Sequence, residues 1–280
     1  MISRITPSEG ERSAGALSSE TIAHLAQRFH ADGALILENV VDAALIARAR
    51  RTFGRAYAQY LDGNEHPDAP MVGDRRLMIT VDLEPPFDDP QLFANPLILS
   101  LMEAVLDEGF VLGAFGAVCS LPSAPAQHRH SDGPPLFPNP VGRLLPASAI
   151  TVAIPLLEMN KVHGTTALYL GSHRDAKPAT IGKGTEPIVR EGSCMLWDYR
   201  LVHGGTPNRS ALPRPLLYLV YCRPWFVDEQ NFAQHPPLCA SRRSLSKLSE
   251  RHRSLLVRAQ QRGRQRAHRC FVIVKYLCGY

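Results

Sequence analysis

What the sequence lacks narrows its identity first. It has no run of about 18 apolar residues, the length a helix needs to cross a bilayer, so no membrane span is expected. The opening stretch MISRITPSEGERSAGALSSE has no apolar h-region and does not read as a secretory signal. The six cysteines (Cys119, Cys194, Cys222, Cys239, Cys270 and Cys278) form no CxxC pair and show no zinc-ligand spacing. Reduced thiols in a cytoplasmic setting are therefore expected. There is no internal repeat. Acidic residues nearly vanish at the end: from Ala240 to Tyr280, Glu250 stands alone against eleven Lys and Arg. The overall charge of +5 thus divides into a basic tail of +10 and a mildly acidic body of −5. Such asymmetry sometimes marks a nucleic-acid or membrane contact. The commoner origin is a solvated helix followed by a loose end, and no nucleic-acid partner is expected.

What is present suffices for one domain of generous size, since 45% of the 280 residues are hydrophobic. Residues 1–17 are polar and expected to be flexible. SETIAHLAQRFHADG reads as a helix with a Ser start and a Gly33 stop, with Ile22, Leu25 and Phe29 on one face. ALILENV follows as a short strand, VDAALIARARRTFGRAYAQYL as a second amphipathic helix, and PLILSLMEAVLDEG as a third that stops at Gly109. Residues 63–90 between them read as loop, with turn-forming clusters. Beyond residue 110 the texture changes to short runs rich in Val, Leu, Thr and Tyr, separated by Pro, Gly and Asn. Helices first and strands afterwards predict a mainly β protein: a double-stranded β-helix, or jelly-roll barrel, buttressed by N-terminal helices. The expected division is a flexible 1–17, a barrel domain over 18–239 and a basic helical or flexible tail over 240–280. Within that tail, 241–260 has the pattern of a basic helix and FVIVKYL is a small apolar β-prone run.

The chemistry-bearing feature is the step His130-Ser131-Asp132. On a strand, residues two apart point to the same side. A second imidazole brought alongside by the fold would complete two His and one carboxylate on one face of a metal, the arrangement typical of non-haem Fe(II) oxygenases. His203, at the end of an apolar run and the start of a Gly-containing turn, is the candidate. Arg214 follows at the head of the apolar PLLYLVY, where a guanidinium is rarely buried without an anionic partner. Its planar fork suits a carboxylate. Metal, O2 and a carboxylic co-substrate are therefore expected together. His128 complicates the ligand set, because His128-x-His130 has the form of a cupin ligand pair. A cupin would continue with a Glu a few residues on, and SDGPPLFPNP has none. His128 is accordingly placed in the pocket wall.

The order HSD, GSH, LVHGGTPNRS and Arg214 resembles the phytanoyl-CoA dioxygenase-like branch of the Fe(II)/2-oxoglutarate oxygenases. FHADGALILENV is similar to that family's opening helix-to-strand segment. PFDDPQLFANPLILSLMEAVL is similar to the helix before its barrel, and GTTALYLGSHR to its Gly-Ser-His turn. The likeness spans roughly residues 20 to 230. It implies a hydroxylase that uses Fe(II), 2-oxoglutarate and O2, with His130, Asp132 and His203 as ligands and Arg214 on the far carboxylate of 2-oxoglutarate. Many relatives carry Ser or Thr two residues past the distal His to help hold 2-oxoglutarate. Here that position is Gly205, so Thr206 or Thr151 is expected to take the role. Halogenating relatives replace the carboxylate ligand with Gly or Ala; Asp132 is retained, which argues against halogenation. Arg76, His128, Phe137 and Tyr199 are expected to line a pocket for a small organic molecule, in secondary metabolism or lipid turnover. The competing reading is a non-catalytic barrel for binding or sensing that docks through its basic tail.

Overall fold

The computed structural model describes residues 1–137, 140–174, 182–228, 230–232 and 235–261. The chain begins with β1 (Ser3–Ile5), α1 (Glu9–Ala14), α2 (Ser19–Asp32), β2 (Ala34–Leu37) and α3 (Ala43–Ala56). The hairpin β3 (Met71–Gly73) and β4 (Arg76–Thr80) follows, then α4 (Pro90–Phe93) and α5 (Pro96–Leu106). The second half is β5 (Val111–Ser120), α6 (Pro140–Leu144), β6 (Ala149–Pro155), β7 (Thr166–Leu168), β8 (Cys194–Asp198), β9 (His203–Gly205) and β10 (Arg214–Cys222). It closes with β11 (Cys239–Ala240), α7 (Arg242–Ser246), α8 (Glu250–Leu255) and β12 (Gln260–Gln261).

The larger sheet has eight strands in the order β1-β2-β8-β6-β10-β5-β4-β3. Its central strands are buried on both faces, so they read as continuous apolar runs and their alternation shows only in what each face meets. On β10, Leu217, Leu219 and Tyr221 face the helical layer, joined there by Phe115 and Ala117 of β5 and by Ile150, Val152 and Ile154 of β6. The helices answer with Leu25 and Phe29 of α2, Leu45, Ile46 and Phe53 of α3, and Leu97, Ile98, Leu101 and Met102 of α5. Their starts are set by capping side chains: Ser18 accepts from the Thr21 amide, Asp42 from Leu45 and Asn95 from Leu97. The opposite face of the sheet carries Arg214, Leu216, Tyr218 and Val220 inward, towards a second, shorter layer. In that layer β9 pairs with β7 and with His130, and Leu168 of β7 bridges to Thr185. Two β layers with helices packed outside one of them give the mainly β, jelly-roll architecture expected.

Three expectations need correction. The first seventeen residues are ordered: Ser3–Ile5 pairs in parallel with Leu35–Leu37, and Ser8 and Glu11 form a reciprocal capping box. Their polar composition hides this because the pairing uses the backbone, while Ile2, Pro7 and Leu17 alone are buried. The expected loop 63–90 holds the β3–β4 hairpin. Nor does the body stop at residue 239. Leu83 donates its amide to the Cys239 carbonyl at 2.9 Å, Ser244 donates to Asp88 at 2.9 Å, and Leu248, Leu255 and Leu256 are buried in the helix-side core. Residues 262–280, including FVIVKYL, lie outside the described residues. Leu255→Ala is therefore expected to cost about 2–5 kcal/mol, read as a lower urea midpoint at unchanged slope. A midpoint equal to the parent's would remove this segment from the core.

Candidate metal centre and co-substrate pocket

Main-chain pairing brings the candidate ligands together. His130 and His203 exchange both backbone hydrogen bonds, at 2.9 and 2.8 Å, as directly opposed residues of an antiparallel ladder. Their side chains therefore leave the same face, with ring centroids 4.4 Å apart. Asp132, two residues on from His130, returns to that face. One ligand atom from each of His130, Asp132 and His203 can be chosen so that all lie within 4.8 Å of one another.

Each candidate ligand is pre-oriented by a neighbour. Nδ1 of His130 lies 3.0 Å from the His128 carbonyl, and Nδ1 of His203 lies 2.9 Å from the Leu201 carbonyl. A carbonyl only accepts, so Nδ1 of each ring carries the proton and Nε2 offers its lone pair to a metal. Burial, and then the neighbouring His203, lower the pKa of His130 and favour the neutral imidazole. One oxygen of Asp132, Oδ2, accepts from the Thr151 hydroxyl at 2.7 Å and from the Trp197 indole N–H at 2.9 Å. The other, Oδ1, lies 3.5 Å from Nε2 of His203. The carboxylate is thus held by one oxygen and available through the other.

The same cavity, about 400 Å³, ends in a cluster of buried cationic and polar groups. Arg76, Ser120 and Arg214 occupy one row across β4, β5 and β10 and so share a face. Arg214 is 2% exposed, and its Nε and Nη1 have no hydrogen-bond partner among the described residues. Nε of Arg76 and the Ser120 hydroxyl are likewise buried without a partner there. Burial, and then the proximity of Arg76, lower the pKa of Arg214 to about 10. Two buried guanidinium groups with unused donors in one cavity form a seat for an anion, since leaving such donors unmet is costly. Two imidazole Nε2 atoms and a carboxylate oxygen suit Fe(II), and the open donors suit a carboxylate of 2-oxoglutarate. The residues present fit both groups.

Not every expected side chain serves as supposed. Thr151 donates to Asp132, so its hydroxyl proton is committed to that carboxylate. Thr206 accepts the Thr165 amide at 2.7 Å, stitching β9 to β7, and does not line the cavity. What lies over Gly205 is Arg76, expected in the substrate wall. A Cβ at residue 205 would sit 3.0 Å from its Nε. Arg76 is held by the carbonyls of Pro125 and Thr206, which leaves Nε facing the anion end. His128 and Tyr199 line the cavity, whereas Phe137 is 53% exposed and lies outside it. Trp197 is a hydrogen-bond donor to the candidate ligand Asp132. Ser120 was not singled out, because only strand register places it between the arginines.

A jelly-roll barrel with a two-His, one-carboxylate cluster and an anion seat in one cavity defines the class of iron- and keto-acid-dependent oxygenases. The family profile described as phytanoyl-CoA dioxygenase (PhyH) matches residues 29–216, about two-thirds of the chain, and the chain belongs to that family. It is accordingly an enzyme whose cofactors are Fe(II), 2-oxoglutarate and O2. Solved structures share the fold. AviO1 from Streptomyces viridochromogenes is 24% identical at a TM-score of 0.59, with 74% of this chain and 96% of that one covered. The non-heme alpha ketoglutarate dependent epimerase SnoN from nogalamycin biosynthesis is 21% identical at 0.53, with 74% and 84% covered. The non-heme monooxygenase ThoJ, solved as a nickel complex, is 19% identical at 0.53, with 72% and 78% covered. Trp197→Phe, which removes one donor from Asp132, should weaken Fe(II) binding about 10- to 100-fold. Anaerobic equilibrium dialysis measures it, and an unchanged dissociation constant would mean that the indole does not support the ligand.

Proposed function

We propose that the enzyme hydroxylates, or otherwise oxidises, an unactivated C–H bond of a small organic molecule. One observation carries this reading: the His130, Asp132 and His203 cluster and the unpartnered donors of Arg214 open into the same cavity. In this reading the three ligands hold Fe(II) and Arg214 anchors the far carboxylate of 2-oxoglutarate, with Arg76 and Ser120 beside it. Bound Fe(II), with 2-oxoglutarate and O2, supplies the oxidising power, and 2-oxoglutarate leaves as succinate and CO2. The chain's own part is orientation and exclusion of water. Thr151 and Trp197 fix the carboxylate ligand, the carbonyls of His128 and Leu201 fix the imidazoles, and Met78, Val118, Leu216, Tyr218, Val220 and Phe232 give the cavity a largely apolar wall. Such a wall protects a reactive centre and suits a substrate with an apolar body.

The names of the structural neighbours favour a small-molecule substrate in secondary metabolism. SnoN, for example, has been solved with Fe3+, alpha ketoglutarate and nogalamycin RO. That SnoN is an epimerase is why oxidation without net hydroxylation stays within the proposal. No helix among the described residues is long and apolar enough to span a membrane. Cys119, Cys194 and Cys222 are buried thiols, in keeping with a reducing, cytoplasmic setting. A binding module docking through its tail would have no use for the ligand cluster and the anion seat together.

The test is succinate formation from 2-oxoglutarate, dependent on both Fe(II) and O2 and stimulated by members of a small-molecule panel. No succinate above the metal-free blank would refute the activity. Arg214→Ala should raise the KM for 2-oxoglutarate by about 10- to 100-fold, the worth of a buried charge-assisted hydrogen bond. An unchanged KM would place the co-substrate's anchor elsewhere.

A further inference from the structure

The connector that leaves β10 returns to the metal centre by a route the activity does not by itself require. Asn231 donates one amide hydrogen to the main-chain carbonyl of Asp132 at 2.6 Å, and the other to Oδ2 of Asp228 at 2.7 Å. Asp228 is the hub of this turn. Its Oδ1 accepts the amides of Gln230 and Asn231 at 3.0 and 2.9 Å, and its Oδ2 also accepts the Tyr199 hydroxyl. Tyr199 then closes the circuit, because its carbonyl accepts the Gly133 amide at 2.9 Å. The peptide joining Asp132 to Gly133 is therefore gripped at both ends, by Asn231 at its C=O and by Tyr199 at its N–H. Gly133 is required at that spot: a Cβ there would come within 2.8 Å of the Tyr199 ring.

The ring of contacts Asp132, Gly133, Tyr199, Asp228 and Asn231 matters because the carboxylate of Asp132 turns with its backbone. Thr151 and Trp197 hold the carboxylate directly; nothing in that pair prevents the peptide plane behind it from rotating. Tyr199 is suited to the donor role, since burial and the charges of Asp132 and Asp228 raise its pKa and keep its hydroxyl protonated. The next residue, Phe232, lines the cavity and stacks on Tyr218 with centroids 6.1 Å apart, and Phe226 meets the Tyr199 ring edge-on at 5.8 Å. One short segment thus carries both part of the cavity wall and the clamp on the peptide behind a metal ligand.

We infer that Asn231 is a positioning residue for Asp132. It acts through the main chain, from the segment that also places Phe232 in the cavity wall. The inference rests on the reading of Asp132 as a ligand, and the test separates the two. Each variant of the full chain is titrated with Co(II), a spectroscopic probe for the divalent site, following its visible absorption and its dissociation constant by equilibrium dialysis. Asn231→Ala should weaken Co(II) binding about tenfold, in line with the loss of other supporting contacts to metal ligands. It should also shift the absorption band while leaving the thermal midpoint near the parent's. Tyr199→Phe frees Asp228 but keeps the carbonyl on Gly133, so it should give a smaller change in the same direction. The double variant should fall short of the sum, because both act through one ring. If Asp132→Ala loses Co(II) while Asn231→Ala matches the parent in constant and spectrum, the inference fails and the ligand reading stands. If Asp132→Ala itself binds Co(II) as the parent does, the ligand reading fails.

Discussion

The pair of backbone hydrogen bonds exchanged by His130 and His203 is the constraint on which the site depends. These residues lie far apart in the chain and belong to no long strand pairing with each other. Yet direct opposition in an antiparallel ladder leaves their side chains no choice of face. Once that pair forms, Asp132, two residues on, lies within reach of both imidazoles, and Trp197 and Thr151 meet it from the larger sheet. A slip of one residue would turn His203 to the opposite face and dissolve the cluster. The pairing of β9 with β7, with Leu168 opposite His203 and Thr166 opposite Gly205, holds that register within the shorter layer.

The second constraint is electrostatic. Arg76 and Arg214 sit in one row of a sheet, on the strands either side of Ser120, where the other inward side chains are largely apolar, and Arg76 disfavours the charge of Arg214. A fold retains such a pair when something anionic completes it, since unmet buried donors are expensive. Gly205 belongs to the same arrangement. Without a side chain at that position, the Arg76 guanidinium can lie across the end of β9, where a hydroxyl-bearing residue would press upon it. The anion end of the cavity is therefore built from strands at opposite ends of the chain, around an absence.

Much of this was legible in the residues. The helices announced themselves through capping Ser, Asp and Asn and through apolar spacing, and the strands through Val- and Leu-rich runs between Pro and Gly. The HSD step, His203 and Arg214 stood out because their chemistry is conspicuous against apolar surroundings. Other features were not legible, for identifiable reasons. The strand Ser3–Ile5 pairs through its backbone and has no apolar signature. Arg75 and Arg76 look alike in sequence, yet one lies at the hairpin and the other is sealed inside. Thr151 and Thr206 were equally plausible hydroxyls until hydrogen-bond partners assigned each to a structural task. Asn231 carries no local pattern, since its partner is a carbonyl ninety-nine positions away.

By itself, then, the sequence determined the kinds of chemistry available: two imidazoles, a carboxylate and a guanidinium set in β-forming apolar segments, and hence the class of enzyme. Those properties are local, because residue type and alternation along a strand do not depend on distant contacts. Tertiary structure alone decided which groups share a row, which donors are left open and which hydroxyls are already taken. These depend on strand register and burial, properties of pairs of segments that no single segment encodes.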